Sequence, residues 1–159
     1  MADDFADFIG HLTDNARTSV HHATLIAQGY GSPYVGTEHL LLGLMAQGAS
    51  VGAKILADAG VTLDKAQSTL SAVSIRAHFT PGIMTKSLSE TAKLTLKMSW
   101  DIAQEFRQDY LGTEHILYSI LTQKNARATV LLRDMNVDIN EVLAELEDYL
   151  DRNSEIQEN

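Results

Sequence analysis

The chain has 159 residues, is 45% hydrophobic, carries a formal net charge of −9 and contains no cysteine. That excludes disulfides, thiolate metal sites and a cysteine nucleophile, and the acidic balance disfavours nucleic acid while favouring cationic partners. No run approaches the roughly 18 consecutive apolar residues of a membrane span, and the acidic start Met1-Ala2-Asp3-Asp4-Phe5 is unlike a signal peptide, so the sequence predicts a soluble, cytoplasmic chain.

The first predicted helix runs from about Thr13 to Gln28. Leu12, Ala16, Val20, Ala23 and Ala27 recur at three- and four-residue spacing and mark its apolar side. Thr13 can cap it by accepting from a free first-turn amide. Gly29-Tyr30-Gly31-Ser32-Pro33 stops it, because glycine tolerates a left-handed cap and proline cannot continue a helix. A second helix starts at Thr37, carries Leu40, Leu41, Leu44 and Met45, and ends at Gly48. Ser50 caps a short third helix through Ile55 and Leu56 that stops at Gly60. The fourth begins near Thr62 and shows Leu63, Ala66, Leu70 and Val73. Beyond the turn signature Phe79-Thr80-Pro81-Gly82 the plan repeats. Ser89 caps a helix through Leu96, Ile102 and Phe106, and Thr113 caps the next. A third spans about Ala126 to Met135, and Asp138 caps a fourth bearing Ile139, Val142, Leu146 and Tyr149. No stretch alternates with period two, so no sheet is expected.

The two halves are copies. Gly36-Thr37-Glu38-His39-Leu40-Leu41 returns as Gly112-Thr113-Glu114-His115-Ile116-Leu117, an offset of 76 residues. With no gap, the same offset aligns Leu12 with Leu88, Ile26-Ala27-Gln28 with Ile102-Ala103-Gln104, Tyr34 with Tyr110, Leu56 with Leu132 and Leu70 with Leu146. The expected fold is therefore all-α: eight helices in a pseudo-twofold domain of two tandem four-helix repeats. Its parts are an N-terminal segment at 1–11, repeat 1 at 12–74, a linker at 75–88, repeat 2 at 89–151 and an acidic, fraying tail at 152–159. Each repeat is small for a core of its own, so the two are expected to pack as one body.

Catalytic signatures are missing from the sequence. There is no phosphate-cradling G-x-x-x-x-G-K-[ST], no H-E-x-x-H and no G-x-S-x-G. His21 and His22 are adjacent and point about 100° apart on a helix, so they cannot share a metal well. His11, His21, His22, His39, His78 and His115 are expected in structural or surface roles. No metal and no cofactor are implied. The G-T-E-H element has a local account: Thr37 and Thr113 cap their helices, and Glu38 and Glu114 sit in the first turn, where the helix dipole favours a carboxylate. His39 and His115 then begin the apolar run, packing on the preceding helix or bonding a carbonyl. Repetition adds a functional reading, in which the glutamates form two equivalent anionic spots able to hold a guanidinium, with nearby first-turn amides for an anion.

These residues carry a resemblance. Tyr34-Val35-Gly36-Thr37-Glu38-His39-Leu40-Leu41-Leu42-Gly43-Leu44, its echo at Tyr110 to Leu117 and the duplication resemble the Clp N-terminal domain over about residues 12 to 150. That is the double repeat of the Clp/Hsp100 AAA+ unfoldases, most like the ClpC branch. The resemblance implies a domain that docks adaptors and unfolded or arginine-phosphorylated substrates for an ATP-driven unfoldase and its protease. It implies ligand-binding roles for Glu38 and Glu114 toward a guanidinium, with Thr13 and Ser89 at the repeat starts and Thr37 and Thr113 at the helix starts. Where the family reads F-T-x-R-A, this chain has Leu12-Thr13-Asp14-Asn15-Ala16 and Leu88-Ser89-Glu90-Thr91-Ala92. Asn125-Ala126-Arg127 also replaces the glycine-rich stretch matched by Gly48 to Gly52, so two unequal pockets are expected. The AAA+ module would act in cis or in trans. The alternative is a free-standing homologue acting as adaptor or decoy. A helical enzyme using Glu38, Glu114 and the histidines is a third reading, which a pocket carboxylate of raised pKa would favour.

Overall fold

The computed structural model describes residues 9–74 and 87–158. The turn signature at Phe79 to Gly82, His78 and most of the expected linker and N-terminal segment lie outside the described residues. Eight α-helices appear among those described: α1 (Asp14–Gly29), α2 (Thr37–Gln47), α3 (Val51–Asp58), α4 (Leu63–Ser74), α5 (Glu90–Glu105), α6 (Thr113–Thr122), α7 (Arg127–Asp134) and α8 (Ile139–Glu158). The last continues through the region expected to fray.

Most helix starts follow local chemistry. Thr13 Oγ1 accepts from the Ala16 amide at 3.1 Å, and Ser89 Oγ accepts from that of Ala92 at 3.0 Å, 76 residues on. Ser50, Thr62 and Asp138 cap α3, α4 and α8 in the same way. Helix ends also correspond. Gly31 and Gly60 adopt left-handed φ of 68° and 86°. Their counterparts are Arg107 and Asn136, both at φ 62°, so repeat 2 holds the same backbone turns with side chains that disfavour them.

The centre of the fold is α2, buried continuously from Thr37 to Leu44, with Leu40, Leu41, Leu42 and Leu44 almost fully enclosed. Each such leucine contributes about 1.5–3 kcal/mol by leaving water. α2 packs against α1 along Gly43, where an added Cβ would run into the Ser19 carbonyl. That close approach explains a glycine inside a helix despite its cost of about 1 kcal/mol in propensity. The equivalent contact in repeat 2 is polar: Ser119 Oγ donates to the Thr95 carbonyl at 2.8 Å. Side chains from both repeats, Val35, Leu56 and Leu70 with Leu96, Leu111, Leu132 and Leu146 among them, form one continuous core, as the small size of each unit requires.

The repeats do not simply sit side by side. Two short strands, β1 (Tyr34–Val35) and β2 (Ser87–Leu88), pair in parallel with Val35 opposite Leu88. Leu12 and Leu111 form the equivalent bridge. The offset carries Leu12 to Leu88 and Val35 to Leu111, so one pairing is made twice with the repeats exchanged. This small sheet corrects the expectation of none: two residues per strand are too few to leave an alternating pattern. No single helix among the described residues is long and apolar enough to cross a membrane.

Candidate functional site

The G-T-E-H segments open α2 and α6 in matching fashion. Gly36 and Gly112 are the N-caps, with extended φ of −96° and −101°. Their amides donate to Nδ1 of His39 and His115, each at 2.9 Å. The histidines therefore play the part that glutamate or glutamine usually takes in a capping box. Nδ1 thus accepts from an amide where a bond to a carbonyl was one expectation, while the His39 ring lies beside Tyr30 at the end of the preceding helix, as the other expectation had it. His115 extends the arrangement through Nε2, which donates to Gln108 Oε1. A ring nitrogen that accepts must be unprotonated, so both imidazoles are held neutral. Burial lowers the pKa of His115 to about 4 and also lowers that of His39, where Arg127 assists and Glu38 opposes.

The threonines differ from expectation too. Thr37 and Thr113 are the first helical residues, not the N-caps, and their hydroxyls face the other repeat. Thr37 Oγ1 accepts from the Ala128 amide in α7 at 3.2 Å, and Thr113 Oγ1 from the Gly52 amide in α3 at 3.1 Å. Each threonine caps a helix of the opposite half. At α7 this supplies what Ala126, the N-cap without a side-chain oxygen, cannot.

Glu38 and Glu114 fold back over their glycine caps, and each residue is only 5% exposed. A Cβ on Gly36 or Gly112 would collide with the carboxylate, which explains the glycine in front of each acid. From there the two sites diverge. Glu38 Oε2 accepts from Arg127 Nη1 at 3.3 Å, while its Oε1 is buried with no hydrogen-bond partner among the described residues. At the position equivalent to Arg127, Glu114 has Val51. Burial raises the Glu114 pKa, against a partly offsetting bond to its own backbone amide. The same carboxylate adds to burial in raising Tyr149, and in raising Tyr110 to about 12. Glu114 thus has the raised carboxyl that an enzyme reading calls for, yet burial at a helix start accounts for it.

One cavity of about 370 Å³ opens at the junction of the repeats, lined by Ser32, Tyr34, Thr37, Glu38, Ser89, Thr91, Asn125 and Arg127. It brings Ser89 of repeat 2 to Glu38 of repeat 1. Thr13 crosses the other way: its amide donates to the Leu111 carbonyl at 3.0 Å, beside the start of α6. The six residues singled out by sequence therefore fall into two crossed groups, Ser89 with Thr37 and Glu38, and Thr13 with the segment of Thr113 and Glu114. Arg127 was not among them as a ligand residue. The signal available was its contrast with Val51 across the repeat.

Residues 11–78 and again 87–159 match the family model described as Clp repeat (R) N-terminal domain. The chain belongs to the Clp repeat N-terminal domain family. ClpC of Staphylococcus aureus (strain USA300), an ATP-binding subunit of the ATP-dependent Clp protease, is 28% identical over 137 residues, 86% of this chain and 16% of that protein. The chain thus spans about one-sixth of the length of the curated relatives it matches. The N-terminal domain of the chaperone ClpD from Arabidopsis thaliana superposes with a TM-score of 0.76 at 22% identity, covering 89% of this chain and 98% of that one. A ClpV N-domain in complex with VipB peptide gives 0.69 at 17% identity, covering 92% and 91%. The two crossed Clp repeats described above are the fold these proteins share.

Proposed function

We propose that this Clp repeat domain docks substrates and adaptors for a Clp-type ATP-driven unfoldase and its protease, and that the Glu38 cavity receives the guanidinium of arginine-phosphorylated proteins. Family membership and the peptide complex of a ClpV N-domain support the docking role. The observation that carries the ligand class is the Glu38 carboxylate in the cavity lining, whose Oε2 is held by the guanidinium of an exposed arginine and whose Oε1 is buried with no partner among the described residues. A desolvated carboxylate oxygen is stabilised by a charged donor, and guanidinium is the donor whose planar fork fits carboxylate best. The start of α5 offers first-turn amides for the attached anion.

Calorimetric titration with free phosphoarginine tests this. Wild type should release or absorb heat, and Glu38→Ala should weaken binding by about tenfold or more, the worth of a charge-assisted hydrogen bond. Glu114→Ala should weaken it less, because Glu38 and not Glu114 lines that cavity. No heat at millimolar ligand would remove phosphoarginine and leave peptide docking.

A further inference from the structure

Two halves related by duplication ought to present two equal sites, and among their differences one places a charge beside a glutamate. Val51 stands before Glu114, and Arg127 stands before Glu38. The Arg127–Glu38 pair is one-sided: the arginine side chain is 84% exposed and the glutamate side chain 6%. The carboxylate is fixed in the wall while the guanidinium sits at the rim, tethered at 3.3 Å and otherwise in solvent. A rim cation held by one contact gains little from it and can change partners at small cost.

For an incoming ligand the consequences differ with its charge. A bare guanidinium finds Oε1 buried over Gly36, Oε2 taken and a like charge beside it. A guanidinium bearing an adjacent anion offers Arg127 a new partner within the same cavity, so Arg127 then attracts where it had repelled. We propose that Arg127 is the specificity-determining residue of this cavity: it occupies Glu38 Oε2 in the free protein, discriminates against lone guanidinium groups, and turns outward to bind the anion of a ligand that carries both charges. Specificity built by repulsion as well as attraction is the general pattern. This inference rests on reading the Glu38 cavity as a guanidinium seat.

The test uses two probes, methylguanidinium and free phosphoarginine, titrated into isotope-labelled protein while the Gly36 and Ser89 amide resonances are followed. Wild type should prefer phosphoarginine. Arg127→Val, which copies position 51, should bind methylguanidinium more tightly and phosphoarginine more weakly, shrinking their affinity ratio by about tenfold or more. Arg127→Gln, which keeps a good helix former, should do the same if the valine variant folds poorly. A ratio unchanged in both variants, with phosphoarginine still bound, overturns the role of Arg127 and leaves the seat in place. Silence of Gly36 and Ser89 toward both probes in every protein overturns the seat and the inference with it.

Discussion

Acidification should weaken this domain through His115 in a way that can be isolated. Its Nδ1 accepts from the Gly112 amide and its Nε2 donates to Gln108, so a second ring proton would break the first bond inside the core. The folded pKa is about 4 against the ordinary 6.5. With the folded value depressed, the unfolded chain binds the proton more readily once pH falls below about 6.5, and stability is lost progressively down to about pH 4. At pH 5 the loss from this one residue is about 2 kcal/mol, since each pKa unit corresponds to about 1.4 kcal/mol. Glu114 works in the opposite sense: its raised pKa makes the folded state the better proton binder, so acidification relieves a cost there. A comparison at fixed Glu114 separates the two. His115→Gln keeps an acceptor for the Gly112 amide, as glutamine does in ordinary capping boxes, and cannot titrate. Urea denaturation at about pH 7 and pH 5 should show wild type losing about 2 kcal/mol more than the variant. Parallel losses, or an NMR titration placing His115 near the ordinary histidine value, would refute the reasoning.

Two further stability effects follow from the crossed architecture. Thr37→Val removes the side-chain acceptor of the buried Ala128 amide and should cost about 1–2 kcal/mol by denaturant unfolding. Asn136→Gly gives the left-handed turn after α7 the residue that its counterpart Gly60 already has, and should raise stability by about 0.5–1 kcal/mol, seen as a melting temperature a few degrees higher.

Much of this protein could be read from its residues in order. The duplication is visible as a constant offset. The eight helices follow from apolar spacing and from Thr13, Ser50, Thr62, Ser89 and Asp138, each of which caps the helix it precedes. These are local interactions, completed within one helical turn, so sequence neighbours suffice to specify them. The inequality of the halves was also legible in Asn125-Ala126-Arg127.

Only the tertiary structure decided which half serves which. Thr37 and Thr113 look like caps of their own helices, but glycine takes that place because the following glutamate leaves no room for a Cβ, and the hydroxyls are turned to amides 91 and 61 residues away. The same exchange places Ser89 with Glu38 and sends Thr13 to the Leu111 carbonyl. Offset matching aligns equivalent positions and carries no information about crossing, because a repeat paired with itself and a repeat paired with its copy have identical sequences. The crossing arises when two units too small to close a core alone bury their apolar faces against each other, and that is a property of the packed chain.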